Sequence, residues 1–347
     1  MRTMLLAASA ALALALPASA QEEPKGAPAP SEIVAAALKA DWVAIAAEDL
    51  LVMTLAPEAD GSPRTVVIQL MPAPFSQGWV HNIRLFARSG WYDGISVNRV
   101  QDNYVTQWGD PNYDNPEATG TPKPLPEGLR VMGEAEYTVT DIPPGIKDVV
   151  TKIFEKIEAD QPGQPAPLNN FEPGLVSVAD FPFSFAASFY KGFPFAWHLE
   201  QHFQSIASPT HCYGMVGVGR NYSPDTGSGA ELYTVIGHAP RHLDRNIALV
   251  GRVIEGMEHL SSLPRGSGAL GFYTAEEAAK RTPILSVRVA SDLPASEQPT
   301  FEYLSTESTT FATYAEAIAN RRDPFFIVPA GGADICNIRV PVRRVEE

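Results

Sequence analysis

The chain has 347 residues, a formal net charge of −14 and only two cysteines, Cys212 and Cys336. The acidic balance argues against nucleic acid and anionic membrane surfaces as partners, since both repel a negative protein. The length allows one large domain or two smaller ones.

Residues 1–20 read as a signal peptide. Arg2 supplies the positive start, Met4 to Leu16 the apolar run, and Pro17-Ala18-Ser19-Ala20 a small-residue cleavage site. The expectation is cleavage before Gln21 and a soluble, periplasmic protein, with no membrane insertion afterwards. No later run approaches the roughly eighteen apolar residues of a membrane helix. Export permits a disulfide between Cys212 and Cys336; two buried free thiols are the alternative.

Residues 21–47 read as a linker followed by a short helix, capped by Ser31 and running to about Lys39. Asp49 to Leu55 and Arg64 to Met71 are strand-like and flank a loop containing Asp60-Gly61. Trp79 to Ser89 has helical periodicity. Val80, Ile83, Leu85, Phe86 and Ala87 form its apolar side, Asn82, Arg84 and Arg88 its wet side, and Gly90 its stop. Ile95 to Val100 and Tyr104 to Gln107 read as short strands.

Prolines cluster at 111–126 and 162–173, around a strand-like Ala135 to Val139 and a helix-like Ile146 to Ile157. Residues 171–203 are rich in aromatics. The stretch from about 112 to 203 therefore reads as an insertion. Tyr213 to Val218, Leu232 to Ile236 and Ile247 to Val253 are buried-strand patterns, the last leading into a helix-like Gly256 to Leu263. Beyond residue 265 a C-terminal extension holds strand patterns at Ile284 to Val289, Phe325 to Val328 and Cys336 to Val342, and a helix at Tyr314 to Asn320.

Several blocks, taken in order, resemble the cyclophilin family of peptidyl-prolyl cis-trans isomerases. Thr65-Val66-Val67-Ile68-Gln69-Leu70 is similar to the family's opening strand, and Gly90-Trp91-Tyr92-Asp93-Gly94 to its Gly-Phe-Tyr-Asp-Gly turn. Asn98-Arg99-Val100 and Gln107-Trp108-Gly109-Asp110-Pro111 resemble its Phe-His-Arg-Val and Gln-Gly-Gly-Asp-Pro motifs. After the insertion, Gly229-Ala230-Glu231-Leu232-Tyr233 resembles Gly-Ser-Gln-Phe-Phe, and His242-Leu243-Asp244 and Val250-Gly251-Arg252-Val253 continue the match.

The resemblance implies a mainly β fold: a closed antiparallel eight-stranded barrel capped by two helices. That cyclophilin-like domain would span 48–265, interrupted by an α/β insertion and followed by the extension at 266–347. It implies isomerisation of X-Pro bonds in proline-containing polypeptides, with Arg99 and Gln107 catalytic. Tyr104, Val105, Glu231, Tyr233, His242 and Leu243 would bind substrate, and no cofactor or metal is needed.

The chemistry agrees with the residue types. Rotation about a prolyl bond is slow because resonance gives it double-bond character. A guanidinium aimed at the prolyl nitrogen opposes that resonance, and an amide donor holds the adjoining carbonyl. The chain departs from the family at Asn98, Tyr104, Val105 and Glu231-Leu232-Tyr233. An extra residue between two blocks leaves Tyr233 or Thr234 as the pocket residue, and Ile247 stands where some members have a pocket histidine. A binding module without turnover is therefore the alternative reading. His198 and His202, at i and i+4, would suit a metal on a helix.

Overall fold

The computed structural model describes residues 26–113, 115–140, 151, 155, 169–180, 182–199 and 205–345. The stretch read as a signal peptide lies outside them, as does the helix expected at 146–157 but for positions 151 and 155. Its strands, in chain order, are β1 Trp42–Ala44, β2 Leu50–Leu55, β3 Arg64–Leu70, β4 Ser96–Val100, β5 Val105–Gly109, β6 Asn170–Glu172, β7 Leu175–Ala179 and β8 Ala186–Tyr190. They continue with β9 Phe193–Leu199, β10 Ser205–Pro209, β11 Met215–Val218, β12 Leu232–Val235, β13 Leu249–Glu255, β14 Ile284–Val289, β15 Phe301–Leu304 and β16 Val342–Arg344. The helices are α1 Pro30–Ala35, α2 Gln77–Arg88, α3 Glu258–Ser261 and α4 Thr309–Ala319.

Eight strands form one antiparallel sheet in the order β14-β2-β3-β13-β11-β12-β5-β4. Its two edges meet. The Gly94 N–H donates to the Ile284 carbonyl at 2.9 Å, the Ile284 N–H to the Ile95 carbonyl at 2.8 Å, and Ser96 bridges Pro283. Closure removes the exposed edges an open sheet would carry. The closing strand β14 comes from beyond residue 265, so the barrel runs to Val289 and the extension proper starts after it.

The helix α2 ends as its sequence dictates. Gly90 takes φ +67°, the Trp91 N–H donates to the Phe86 carbonyl at 3.0 Å and the Gly90 N–H to the Ala87 carbonyl at 3.1 Å. One face carries Trp79, Val80, Ile83 and Phe86 into the core. Asn82 does not face water as its polarity suggested. It is fully buried, its amide donating to the Arg130 and Ser228 carbonyls and accepting the Arg130 N–H. The start of the insertion covers this side of the helix. The second cap, α3, is a single turn.

The insertion and the residues just after it form a five-stranded meander, β10-β9-β8-β7-β6. Its Val178, Phe189, Phe193, Phe195 and Trp197 join the same buried cluster as the barrel's Val66 and Ile83 and the extension's Phe311 and Ile338. The added regions therefore share the barrel's core. A disulfide joins Cys212 to Cys336 across 124 residues.

Four local expectations are corrected. Ser31 does not cap α1: Pro30 opens it, with the Ala29 N–H satisfied by Glu32 at 2.6 Å, and it stops at Ala35. Residues 134–137 form a turn of 3-10 helix, leaving only a Val139–Ala207 bridge. Residues 325–328 form an exposed turn and bend, paired with no strand among the described residues. The last strand begins at Val342, because residues 335–337 coil to place Cys336 in the disulfide.

Candidate active site

β4 and β5 place Arg99 directly opposite Gln107, and β12 places Tyr233 on the other side of Gln107. Opposed residues of an antiparallel pair share a face. Arg99, Gln107, Val105, Tyr233 and Val235 therefore project from one side of the sheet. Thr106 and Thr234 project from the other, where the Thr106 hydroxyl donates to the Leu260 carbonyl. This register puts Tyr233, and not Thr234, on the face of Arg99 and Gln107.

Arg99 is anchored on three sides. Its Nε donates to the Leu270 carbonyl at 2.6 Å, Nη1 to Gln107 Oε1 at 3.1 Å, and Nη2 to Gln101 Oε1. Of its five N–H groups, these bonds leave one free on each Nη. The guanidinium lies against the rings of Tyr104 and Phe272, at 5.6 and 5.5 Å. Burial draws its pKa below the ordinary arginine value, with Tyr104 and Tyr233 opposing. Leu270 and Phe272 come from a loop after residue 265, which no motif assigns to the site.

Gln107 donates from Nε2 to Glu231 Oε2 at 3.5 Å, so its orientation is set from both ends. Glu231 is buried beside Gly109, where any Cβ would lie 2.0 Å from its carboxylate. The glycine of Gln107-Trp108-Gly109 is thus space kept for that acid.

The apolar wall is a small cluster of its own: Val105, Tyr233 and Val235, with Tyr104 and Ile247 packed against it. His242 is exposed and stacks on Tyr104, centroids 6.3 Å apart and planes within 8°. Leu243 is half-buried in the turn Arg241–Leu243 that carries His242. Beside Glu231, a cavity of about 240 Å³ is lined by Tyr113, Gly219, Asn221, Asp225, Gly227 and Ser228.

Tyr233 carries a hydroxyl where the family has a phenyl ring, and the structure supplies its partner. The ring crosses Gly217, where a Cβ would lie 2.4 Å from it, and the hydroxyl meets His211 Nε2 at 2.8 Å. His211 Nδ1 meets Asp244 Oδ1 at 2.8 Å. Arg241 donates from Nε to Asp244 Oδ2 at 2.6 Å, and through both Nη atoms to Asp180 at 2.7 and 2.6 Å. Ser184 completes the chain by donating to Asp180.

Every member of this network is buried. Burial lowers the His211 pKa against the pull of Asp244, so the ring is neutral, donating to the carboxylate and accepting from the tyrosine. Burial would raise Asp244, but His211 and Arg241 outweigh it and hold the carboxyl below its ordinary value. Burial likewise opposes the charge of Arg241, and Asp180 and Asp244 overcome it. None of His211, Arg241, Asp244 or Asp180 was marked for a site from the sequence. The available signal was a tyrosine in an apolar pocket position, which demands a buried hydrogen-bond partner.

His198 lies within β9 and meets the Ser208 hydroxyl at 3.1 Å; burial lowers its pKa to about 4. The helical spacing that paired it with His202 does not exist in an extended strand, and His202 lies outside the described residues.

Comparison with known proteins follows the same lines. The chain is similar in fold to the crystal structure of cyclophilin AquaCyp293 from Hirschia baltica. The TM-score is 0.57 at 17% identity, covering 88% of this chain and 95% of that one. Two structures of a cyclophilin type peptidyl-prolyl cis-trans isomerase from Cryptosporidium parvum, one with the dipeptide Ala-Pro, align at TM-scores of 0.32 and 0.33. They share 9% and 10% identity, covering 68% and 69% of this chain and 97% and 96% of those. None of the curated proteins matches. The model of the family "Cyclophilin type peptidyl-prolyl cis-trans isomerase/CLD" matches residues 64–289, the stretch from β3 to the strand that closes the barrel. The chain belongs to the cyclophilin-type peptidyl-prolyl cis-trans isomerase family.

Proposed function

We propose that this chain is an active prolyl isomerase, working on exported proline-containing polypeptides in the periplasm after removal of residues 1–20. The observation that carries the reading is the Arg99–Gln107 pair beside an apolar wall.

A prolyl ring resting on Val105 and Tyr233 brings its nitrogen toward the guanidinium. The two N–H groups that Arg99 keeps free stabilise the pyramidal nitrogen, whose lone pair has left amide resonance. Gln107, fixed between Arg99 and Glu231, holds the carbonyl before the proline while the remainder turns. Tyr104 and His242 form the rim, and Leu243 the adjoining turn. Preorganised donors in a partly dry site are worth more than the same donors in water. No bond is made or broken, so no nucleophile is required. The signal-like sequence at 1–20 supports the localisation, and the charge of −14 supports clients other than nucleic acids.

The test is a coupled assay on a proline-containing tetrapeptide, comparing wild type with Arg99→Ala. Acceleration by wild type, lost in the variant, is expected. No acceleration by wild type, with retained peptide binding, would select the non-catalytic module, which the tyrosine and glutamate in the pocket wall favour.

A further inference from the structure

Away from the Arg99 site lies a cavity of about 380 Å³ between the outer face of β11 and β13, the insertion and the C-terminal segment. Phe189, Pro194, Met215, Met257, Ile338 and Val340 supply much of its apolar lining. Cys212 and Cys336 belong to its wall, so the disulfide ties its barrel side to its C-terminal side.

One charged group is built into that wall. Arg252, on β13, is 9% exposed. Its Nε donates to Gln69 Oε1 at 2.9 Å and its Nη1 to the Gly192 carbonyl at 2.8 Å, while its face covers the Phe193 ring at 4.7 Å. Nη2 is buried without a partner. Most arginines of this chain meet a carboxylate. Arg252 forms no ion pair among the described residues, and burial draws its pKa down to about 10. Arg339, exposed at the same cavity, lies over Tyr213 at 4.8 Å and likewise has no carboxylate partner among the described residues. In a chain of net charge −14, two unpaired guanidiniums along one apolar cavity stand out.

We propose that this cavity is a second binding site, separate from the Arg99 pocket, for a small organic monocarboxylate with an apolar body. The volume lies within the range of small-molecule sites, about 300–1,000 Å³. The lining suits an alkyl or aryl group. Arg252 puts an unmatched positive charge into the wall, and the exposed Arg339 guanidinium at the same cavity supplies N–H donors that a carboxylate can reach. A single negative charge held there offsets the charge of Arg252, which has no ion pair among the described residues.

Octanoate is the probe, titrated calorimetrically into the full mature chain beside octanol and octylamine. Octanoate is expected to bind at one site, at least about tenfold tighter than octanol, because the charge-assisted bond is lost with the alcohol. Octylamine should bind weakest. Arg252→Met should bring octanoate and octanol to equal affinity, and Met257→Trp should fill the cavity and abolish both. Arg339→Glu, at an exposed position, should weaken octanoate alone. Arg99→Ala should leave octanoate binding unchanged. The proposal is overturned if wild type shows no saturable octanoate binding, if octanol binds as tightly, or if Met257→Trp binds octanoate normally. The last two measurements decide even if Arg252→Met does not fold.

Discussion

Arg99 and Gln107 face each other across one hairpin, and their geometry follows from a short stretch of chain folding back on itself. Tyr233, on the opposite wall of the same pocket, is held through His211, Asp244 and Arg241 to Asp180 in the insertion. The polar half of the site is thus local and the apolar half is remote. The backbone register of that pair does not depend on the insertion, although its side chains also rest on Leu270 and Glu231. A wall fixed by a buried ionic chain depends on every link, and couples a family pocket to a region that interrupts the family sequence.

The sharpest way to break this contrast is Asp180→Ala. It strips Arg241 of its bidentate partner inside the protein, and removing one partner of a buried pair costs about 3–5 kcal/mol. Urea unfolding should show a loss of that order, with a fall in kcat/KM on prolyl peptides. Unchanged stability would mean that the pocket wall does not rest on the insertion. Arg99→Ala should do the reverse. Two of its three anchors, Leu270 and Gln101, are exposed or half-buried, and its removal leaves no buried charge unpaired, so the melting temperature should hardly move. Catalysis should drop by about 10²–10³, the cost of one preorganised donor. A variant that loses stability and keeps its rate would reverse the assignment of the two halves.

What the sequence made legible divides along the same line. The strand pair around Arg99 and Gln107, the helix ending at Gly90 and the barrel strands β2, β3, β11 and β12 follow from local periodicity, turn chemistry and family motifs. Asn82 was misread because helical amphipathicity knows nothing of a segment arriving from residue 130. The loop carrying Leu270 and Phe272 was missed because strand β14, which brings it alongside Arg99, pairs with β2 across more than two hundred residues. His211 sits beside Cys212, and nothing in its neighbours shows that it will meet Tyr233. Contacts closed over long separations, through an inserted region, leave no periodic trace.

A smaller effect is expected from Tyr233→Phe. The ring stays over Gly217, and only the hydroxyl is removed, leaving His211 Nε2 without its donor. An unmade buried hydrogen bond costs about 1–3 kcal/mol. The peptide should still be gripped, so KM should change little while chemical denaturation shifts to lower urea. A large rise in KM would mean that the hydroxyl, and not the ring, faces the substrate.

The finest test is pH. In the folded chain the pKa of His211 lies below its ordinary 6.5, chiefly through burial, and that of His198 falls to about 4 for the same reason. The unfolded chain therefore binds protons first as pH drops through 6.5, and stability contributed by both neutral rings declines from there downward. Asp244 adds a second, lower window: its folded pKa lies below 3.8, so its contribution is complete above that value and is lost as pH falls through the folded pKa. Both contributions have the same sign, and stability should fall in two stages on acidification. His211→Gln separates them. A glutamine can accept from Tyr233 and donate to Asp244 but does not titrate, so the decline between pH 6.5 and 5 should become shallower while the lower stage remains. His198 supplies what slope is left in the upper window. An unchanged upper slope in His211→Gln would show that the ring is not held neutral between tyrosine and carboxylate, and that the remote half of the pocket is fixed by packing alone.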